Sequence, residues 1–509
     1  MKMINNIKWL AFVALAFVAC NSDDDVVADP NSTDGTPLTA GTADFSKYVA
    51  LGDSFAAGFS DNALFMEGQK FSYPNIMASQ FSLVGGGDFK IPFMGDNIGG
   101  FLSGGAQSAS YGPRLYFNGA APVPVPEVST TDISTKLTGP FNNFGIPGAK
   151  SFHLTFPGYG SGAGNPYFAR MASNPMATVL QDALDQNPTF FSLWIGGNDE
   201  LGYATAGGDA SLNPLTPPAV FDATYNQLMT QLTSGGRKGV IANLPSVTTL
   251  PYFYVIKFNQ LTQANLTIGE NNLVATLNAQ LYGPLHNALA YLGQGDRINL
   301  LSTTGNNPML MIDETLTDLS TQLTGVLVGG GLDVPTATAY GAIFGRARQT
   351  LPTDLICLSA SSRIGQAPSM TIDGVASPSP LLAQLGITFP LPDRYVLIPT
   401  EVDEIVAATD AYNVTIENAK NNFDVAFVDT KSIMNQLSSS GIVANNYTLT
   451  STFVTGGAFS LDGVHPSPRG YALIANKFLE AINAKYGSNF KGVNLGNYRI
   501  LYPRDSATF

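Results

Sequence analysis

Charged residues, cysteine and histidine are all scarce in this chain of 509 residues. Lys, Arg, Asp and Glu make up 12% of it, about half of the usual share, and the formal net charge is −13. Because neutralising phosphates needs clustered Lys and Arg, this balance argues against a protein whose main task is to bind nucleic acid. The two cysteines, Cys20 and Cys357, exclude a disulfide framework and a multi-thiolate metal site. Cys357 lies in the apolar stretch 355–358 and is interpreted as a buried small hydrophobe.

The first twenty residues carry the pattern of a leader. Lys2 and Lys8 precede an apolar run at 9–19 that is too short to span a bilayer as a permanent helix. The run ends at Val18-Ala19-Cys20, which resembles a bacterial lipobox, a cleavage site that leaves the cysteine lipidated; an uncleaved anchor is the alternative. We therefore expect a signal peptide at 1–20 and a lipid anchor on Cys20 that holds the protein at a membrane.

An acidic stretch follows this cysteine. Residues 21–44 contain several Asp and no Lys or Arg, so we expect a solvated, flexible tether at 21–45. Acidic residues directly after a lipidated cysteine also resemble the surface-export signals of lipoproteins in the Bacteroidetes. This resemblance implies an outer-membrane lipoprotein in the cell envelope and favours the outer face of that membrane.

Four short apolar runs end abruptly at turns that contain Gly, Pro or Asp. The runs lie at 45–51, 189–195, 239–244 and 423–428. They predict strands that are buried on both faces of a parallel sheet. Segments with helical periodicity lie at 176–185, 220–232, 401–421 and 469–485. The alternation of strands with amphipathic helices predicts an α/β fold, a three-layer α/β/α sandwich with a mostly parallel sheet.

The rhythm changes between residues 256 and 395. A long helical run is predicted at 265–292, and Gly-rich and Pro-rich segments with short helices follow it. Because the pattern of strands and helices resumes at 396, we divide the core into a first part at 46–255 and a second part at 396–485. The segment 256–395 is then a mainly helical and loop insertion, either a lid or cap or a separate domain. No function is predicted for the C-terminal tail at 486–509.

Two segments at opposite ends of the chain carry candidate catalytic groups. Gly52-Asp53-Ser54 follows the first strand, where backbone N–H groups at a turn into a helix favour developing negative charge beside a serine hydroxyl. A serine that only caps the helix is the alternative. Asp462-Gly463-Val464-His465 is an arrangement in which one turn presents a carboxylate beneath an imidazole, so that the second ring nitrogen faces Ser54.

Histidine occurs only three times in the chain. His153 and His286 compete with His465 for the role of base. His286 lies in the helical run 282–292 without an acidic partner nearby and is interpreted as a surface or packing residue. An imidazole base predicts activity that falls as the pH drops through about 6 to 7.

Two further segments offer donors for an oxyanion. Gly196-Gly197-Asn198-Asp199 places a side-chain amide at the end of a central strand, where it can donate without taking up a proton. The segment 143–149 contains Gly145 and Gly148, either of which could bring a backbone N–H close to the same oxygen. Each segment alone is also compatible with an ordinary turn.

In this order the four segments resemble the sequence blocks of the SGNH/GDSL hydrolases, a family of esterases, lipases and carbohydrate deacylases on a flavodoxin-like sandwich. The resemblance covers the core, at 46–255 and 396–485. It implies that Asp53 is a turn residue and not the catalytic acid.

By this resemblance Ser54 is the nucleophile of acyl transfer through an acyl-enzyme, and Asp462 and His465 complete its triad. Gly148 and Asn198 join the Ser54 backbone N–H in the oxyanion hole. No cofactor and no metal is implied, and the sequence has no paired histidine ligands that would hold a metal ion.

The expected substrates are carboxylic esters, and attachment to a membrane favours lipid acyl esters. A carbohydrate O-deacetylase and a non-catalytic lipoprotein that binds lipid or glycan are the alternatives. Tyr252, Phe253, Tyr254 and Tyr340 are candidates for the wall of an acyl pocket, unless they only cover the sheet.

Overall fold

The computed structural model describes residues 29–268 and 270–505 of the chain. A sheet of five strands lies at its centre: β1 (Tyr48–Gly52), β2 (Asn143–Gly145), β3 (Phe190–Trp194), β4 (Lys238–Ala242) and β5 (Ala426–Val428). The strands are all parallel and follow the order β5-β4-β3-β1-β2. The predicted α/β class with a mostly parallel sheet is confirmed at this level.

The central strands are apolar because both of their faces are covered. Every residue of β1 and β3 is buried, as expected of strands inside a layered α/β fold. At Gly52, where β1 ends, a Cβ atom would lie 2.5 Å from the carbonyl oxygen of Trp194 on β3, so only glycine fits before the chain turns towards Ser54. Strand β2 is missing from the sequence-based prediction, since its three residues are too few to show a strand pattern.

The helices are of unequal length, and only part of them packs on the sheet. Within the described residues they are α1 (Ser54–Ala57), α2 (Met66–Lys70), α3 (Tyr73–Phe81), α4 (Pro166–Met171), α5 (Val179–Leu184), α6 (Asn198–Thr205), α7 (Pro218–Thr233), α8 (Val274–Leu277), α9 (Gly283–Tyr291), α10 (Ser320–Gly329), α11 (Val334–Phe344), α12 (Pro399–Phe423), α13 (Thr430–Ser439) and α14 (Pro468–Tyr486). Helix α3 packs against α14, and α7 packs against α12. The predicted helices at 220–232, 401–421 and 469–485 correspond to α7, α12 and α14.

Six antiparallel pairs of short strands complete the described structure. They are Leu102–Ser103 with Ala106–Gln107, Leu115–Phe117 with Pro122–Pro124, Thr267–Ile268 with Asn271–Asn272, Leu310–Ile312 with Ala347–Gln349, Leu355–Ile356 with Val396–Leu397, and Ile442–Ala444 with Tyr447–Leu449.

Residues between Ile256 and Ile398 form a second hydrophobic cluster, separate from the cluster around the sheet. The helix predicted at 265–292 is wrong in its first part, where a short hairpin stands instead. Helix α8 begins only at Val274, whose N–H donates to the side chain of Asn272 (2.8 Å) in the turn that joins the hairpin to the helix. Whether this segment is a lid, a cap or a separate domain stays a prediction.

The structure also differs from the tether predicted at 21–45. From residue 29 onwards the chain pairs with the segment after α14: the Thr33 N–H donates to the Asn489 carbonyl, and the Lys491 N–H donates to the Asn31 carbonyl, both at 2.9 Å. Side chains take part as well: the Asn489 amide donates to Oδ1 of Asp34 (3.1 Å) and accepts from the Thr39 N–H (2.8 Å), so an acidic residue contributes to the pairing. The signal peptide and Cys20 lie outside the described residues. Among those described, no helix is long and apolar enough to cross a membrane.

Candidate active site

Ser54 lies at the carboxyl end of β1 and is the first residue of α1. The preceding Asp53 accepts a hydrogen bond from the Phe55 N–H (3.0 Å) and caps this helix. Burial raises the pKa of Asp53 to about 7. Asp53 therefore shapes the turn that carries the hydroxyl, and a different carboxylate contacts the imidazole.

The described structure brings Ser54, His465 and Asp462 together. Nε2 of His465 lies 2.8 Å from Oγ of Ser54, and Nδ1 lies 2.9 Å from Oδ2 of Asp462. The His465 and Asp462 side chains are only 12% and 9% exposed. Ser467 caps α14 two positions after the histidine, by accepting a hydrogen bond from the Gly470 N–H (3.0 Å), so a long buried helix fixes the end of the loop.

Asp462 is held as a carboxylate. Burial alone would raise the pKa of Asp462. The charge of His465 outweighs this effect, together with hydrogen bonds from the His465 ring and from the backbone N–H groups of His465 and Val464, so the pKa is lowered to about 2. The two backbone donors lie 2.8 and 2.9 Å from Oδ1. An ionised acceptor at Nδ1 fixes the proton on that nitrogen, which leaves the Nε2 lone pair facing the Ser54 hydroxyl.

A turn at Asp61 and Asn62 supports this acid, and sequence reasoning missed it. The Asn62 N–H donates to Oδ2 of Asp462 (2.9 Å), and Oδ1 of Asp61 accepts from the Leu461 N–H (2.9 Å). Both turn residues have left-handed φ values, +51° and +65°. Adjacent Asp and Asn do indicate a turn. Nothing in their residue types indicates a partner 400 positions away.

Two aromatic rings pack against the imidazole. The ring centroids of Phe55 and Phe59 lie 5.4 and 4.6 Å from that of His465. Phe55 also contacts Trp194, at a centroid distance of 5.0 Å. These contacts limit rotation of the histidine ring and keep apolar surface beside the nucleophile.

The two glycines proposed as oxyanion donors differ in environment. The Gly145 N–H already donates to Oδ1 of Asn143 (2.8 Å), and Gly145 packs against the backbone of α1. Gly148 has φ +79°, and a Cβ atom there would meet only Nδ2 of Asn165, at 3.9 Å. Its N–H has no hydrogen-bond partner in the part of the chain that the structure describes. The geometry therefore favours Gly148 over Gly145, while the role itself stays a prediction.

Asn198 begins α6, directly after β3 and the two glycines that follow it. One hydrogen of its amide goes to the Ala149 carbonyl (Nδ2 to O, 3.0 Å), which links it to the loop that carries Gly148. The second amide hydrogen is left for another acceptor. Asn198 and Ser54 line the same cleft.

The rings of the other two histidines, His153 and His286, contact groups other than Ser54 and Asp462. Nδ1 of His153 accepts a hydrogen bond from the Lys150 N–H (3.0 Å), and its ring stacks on Tyr159. Burial, with a smaller contribution from the Lys150 charge, lowers the pKa of His153 to about 4. Nδ1 of His286 lies 2.8 Å from the Ile298 carbonyl oxygen.

The cleft beside Ser54 is small and mostly apolar, with a volume of about 30 Å³. Leu201, Leu244, Val247 and Val464 form part of its wall. The aromatic residues expected to form this wall are not among its lining. Instead Phe253 is buried in the core around the sheet, and the Tyr252 N–H donates to the Gly463 carbonyl (3.0 Å), next to Asp462 in the chain.

Among the described residues, one group of acidic side chains could hold a metal ion. Glu314, Asp393 and Glu401 bring candidate ligand atoms within 4.8 Å of one another, but none of them lines the cleft at Ser54. Burial, and then the neighbouring Glu314 carboxyl, raises the pKa of Asp393. Burial also raises the pKa of Glu401 to about 8. At neutral pH this group therefore carries less negative charge than three free carboxylates.

One comparison with known proteins gives a match. Residues 354–478, less than half of the chain, match the family model described as GDSL-like lipase/acylhydrolase. The matched stretch contains Asp462 and His465, begins inside the segment 256–395 and does not reach Ser54. No curated protein and no solved structure matches the chain. The similarity supports an acylhydrolase, an enzyme that hydrolyses ester bonds.

Proposed function

We propose that this protein is a serine esterase that hydrolyses carboxylic esters through an acyl-enzyme on Ser54. The observation that carries the proposal is the continuous chain of hydrogen bonds from Ser54 Oγ through His465 to Asp462, at 2.8 and 2.9 Å. A serine hydroxyl is a weak nucleophile on its own, and an adjacent base activates it. The family similarity at 354–478 supports the same chemistry.

In the first step, Nε2 of His465 takes the hydroxyl proton while Oγ of Ser54 bonds to the carbonyl carbon of the ester. The carbonyl electron pair moves onto its oxygen, and the Ser54 N–H, the Gly148 N–H and the Asn198 amide stabilise this oxyanion. As the carbonyl forms again, the bond to the alkoxide breaks, and His465 gives the alkoxide its proton. Water then attacks the acyl-enzyme in the same way, the carboxylic acid leaves and the Ser54 hydroxyl is restored.

A fluorophosphonate probe and p-nitrophenyl acetate test this proposal. We expect covalent labelling and ester hydrolysis in the wild-type protein and neither in Ser54→Ala. Ser82→Ala, which changes an exposed serine at the end of α3, is the matched control and is expected to behave as wild type. A folded wild-type protein that is neither labelled nor active would instead be the non-catalytic binder.

We propose further that the chain is an outer-membrane lipoprotein anchored through Cys20. The proposal is supported by the leader pattern at 1–20 alone. Labelling with an alkyne-tagged fatty acid in a bacterial host tests it: Cys20→Ala should lose the label, and Cys357→Ala, which changes a buried cysteine, should keep it. Equal labelling of both variants would show that Cys20 does not carry the lipid anchor.

A further inference from the structure

A second, apolar space adjoins the cleft at Ser54. Phe55, Trp194, Pro245 and Leu250 line both. Since Phe55 directly follows Ser54 in the chain, the second space begins one residue away from Ser54. We name it the α13–α14 crevice, after the two helices that form its walls. Its volume is about 60 Å³, twice that of the cleft at Ser54.

The walls of the α13–α14 crevice are almost entirely hydrocarbon. Ile433, Met434 and Leu437 of α13 face Leu473, Ile474 and Lys477 of α14 across it.

The polar groups in this lining are already partnered. The Thr430 hydroxyl donates to the Asn243 carbonyl oxygen, and Nζ of Lys477 lies 2.8 Å from a carboxylate oxygen of Glu480. Sugar hydroxyls would lose their water here without gaining hydrogen bonds, which is costly. A hydrocarbon chain would gain from the same transfer.

We propose that the α13–α14 crevice binds the acyl chain of the ester, so that the substrates are esters of medium-chain or long-chain fatty acids. This inference rests on the proposed function of Ser54. The acyl part suits an enclosed crevice better than the alcohol part, because the alcohol must leave before water attacks. The acyl chain stays bound to Ser54 through both steps.

A series of p-nitrophenyl esters from acetate to laurate tests the proposal on the full chain. We expect kcat/KM to rise roughly threefold to fourfold per methylene until the crevice is filled. Ile474→Trp places a larger side chain in the crevice. It should lower kcat/KM for octanoate at least about 10-fold more than kcat/KM for acetate. Ala484→Trp, at an exposed position of the same helix outside the lining, is the matched control.

The possible outcomes separate this inference from the proposed function. If acetate is hydrolysed at least as well as octanoate while fluorophosphonate labelling persists, the crevice assignment is overturned and the esterase stands. If no ester is hydrolysed and no label appears, the esterase itself fails. A gain with longer alcohols in a series of alkyl acetates, without a gain in the acyl series, would assign the crevice to the alcohol.

A binding measurement gives a readout that does not depend on turnover. Ser54→Ala should bind a dansylated undecanoic acid, and dodecanoate should displace it. The double variant Ser54→Ala/Ile474→Trp should bind at least about 10-fold more weakly. Equal affinity of the two proteins would place the fatty acid elsewhere.

Discussion

The backbone N–H of Asn62 donates a hydrogen bond to Oδ2 of Asp462, the oxygen that also contacts Nδ1 of His465. Both distances are 2.9 Å. The turn that begins a few residues after the nucleophile therefore also orients the carboxylate from the far end of the chain. The chain from Ser54 to Asn62 therefore positions both the Ser54 hydroxyl and the Asp462 carboxylate. A substitution in the turn at Asp61 and Asn62 should change the geometry of the triad although no triad residue is replaced.

Asp61→Ala should lower kcat by about 10- to 100-fold with little change in KM, since a small misplacement of a catalytic group costs this much. The substitution removes the acceptor of the Leu461 N–H and puts alanine at a φ of +51°. Asp61→Asn keeps an acceptor, tolerates the left-handed backbone and should stay within a few-fold of wild type. Steady-state kinetics and melting temperatures of both variants check this.

Temperature separates positioning from a general loss of stability. If the turn orients Asp462, kcat of Asp61→Ala should stay low even far below its melting temperature, where the protein is folded. A kcat that returns to the wild-type value at such temperatures would reduce Asp61 to a structural residue.

Asp462→Asn should lower kcat by about 10⁴-fold while the protein stays folded, because an amide does not fix the proton on Nδ1. The stability difference from wild type should depend on pH. A carboxylate whose pKa is lowered to about 2 stabilises the fold above its unfolded value of about 3.9 and loses that contribution as the pH falls towards 2. Urea unfolding at pH 7 and pH 3 measures the difference, which should be smaller at pH 3.

The helices and strands that position the triad could be predicted from the sequence where their hydrophobic pattern was long enough. Helices α7, α12 and α14 have clear periodicity and the apolar strands end at visible turns, so four of the five sheet strands were predicted. The short strand β2 and the hairpin before α8 were not, because strand pairing decides them and neither is long enough to show a pattern. The turn at Asp61 depends on a contact between distant segments, and no local pattern encodes such a contact.

The residues that line the cleft could not be predicted from the sequence for the same reason. Aromatic residues near the start of the second cluster were candidates for an acyl pocket on composition alone. Many of the side chains that line the apolar space come from α13 and α14. Only α14 was predicted from the sequence, and neither helix carries a local pattern that indicates their joint cavity. Which faces of two helices meet is set by packing on the sheet, and a single sequence does not reveal it.

Asn198→Ala should lower kcat by about 100- to 1000-fold with little change in KM, the usual cost of removing an oxyanion donor. Gly148→Ala should cost less, because its N–H remains. The added methyl group would meet only Nδ2 of Asn165, at 3.9 Å, and the strain comes from a φ of +79°. The Asn198 amide also holds the Gly148 loop through Ala149, so the two effects should not add in the double variant. Steady-state kinetics of the three proteins are the measurement. A wild-type kcat in Asn198→Ala would show that Asn198 does not belong to the oxyanion hole.

Glu401→Gln should stabilise the protein at alkaline pH. A carboxyl whose pKa is raised to about 8 in the folded state binds a proton that the unfolded chain releases near pH 4.3, so stability falls as the pH rises between these values. The slope is at most about 1.4 kcal/mol per pH unit for one proton. Thermal unfolding from pH 5 to pH 9 should show a falling melting temperature in wild type and a flatter curve in the variant. Glu480→Gln, at an exposed ion pair with Lys477, is the control and should leave the slope unchanged.

If Glu314, Asp393 and Glu401 instead bound a cation, millimolar calcium would raise the melting temperature of wild type at pH 8, and Glu401→Gln would then be the less stable protein.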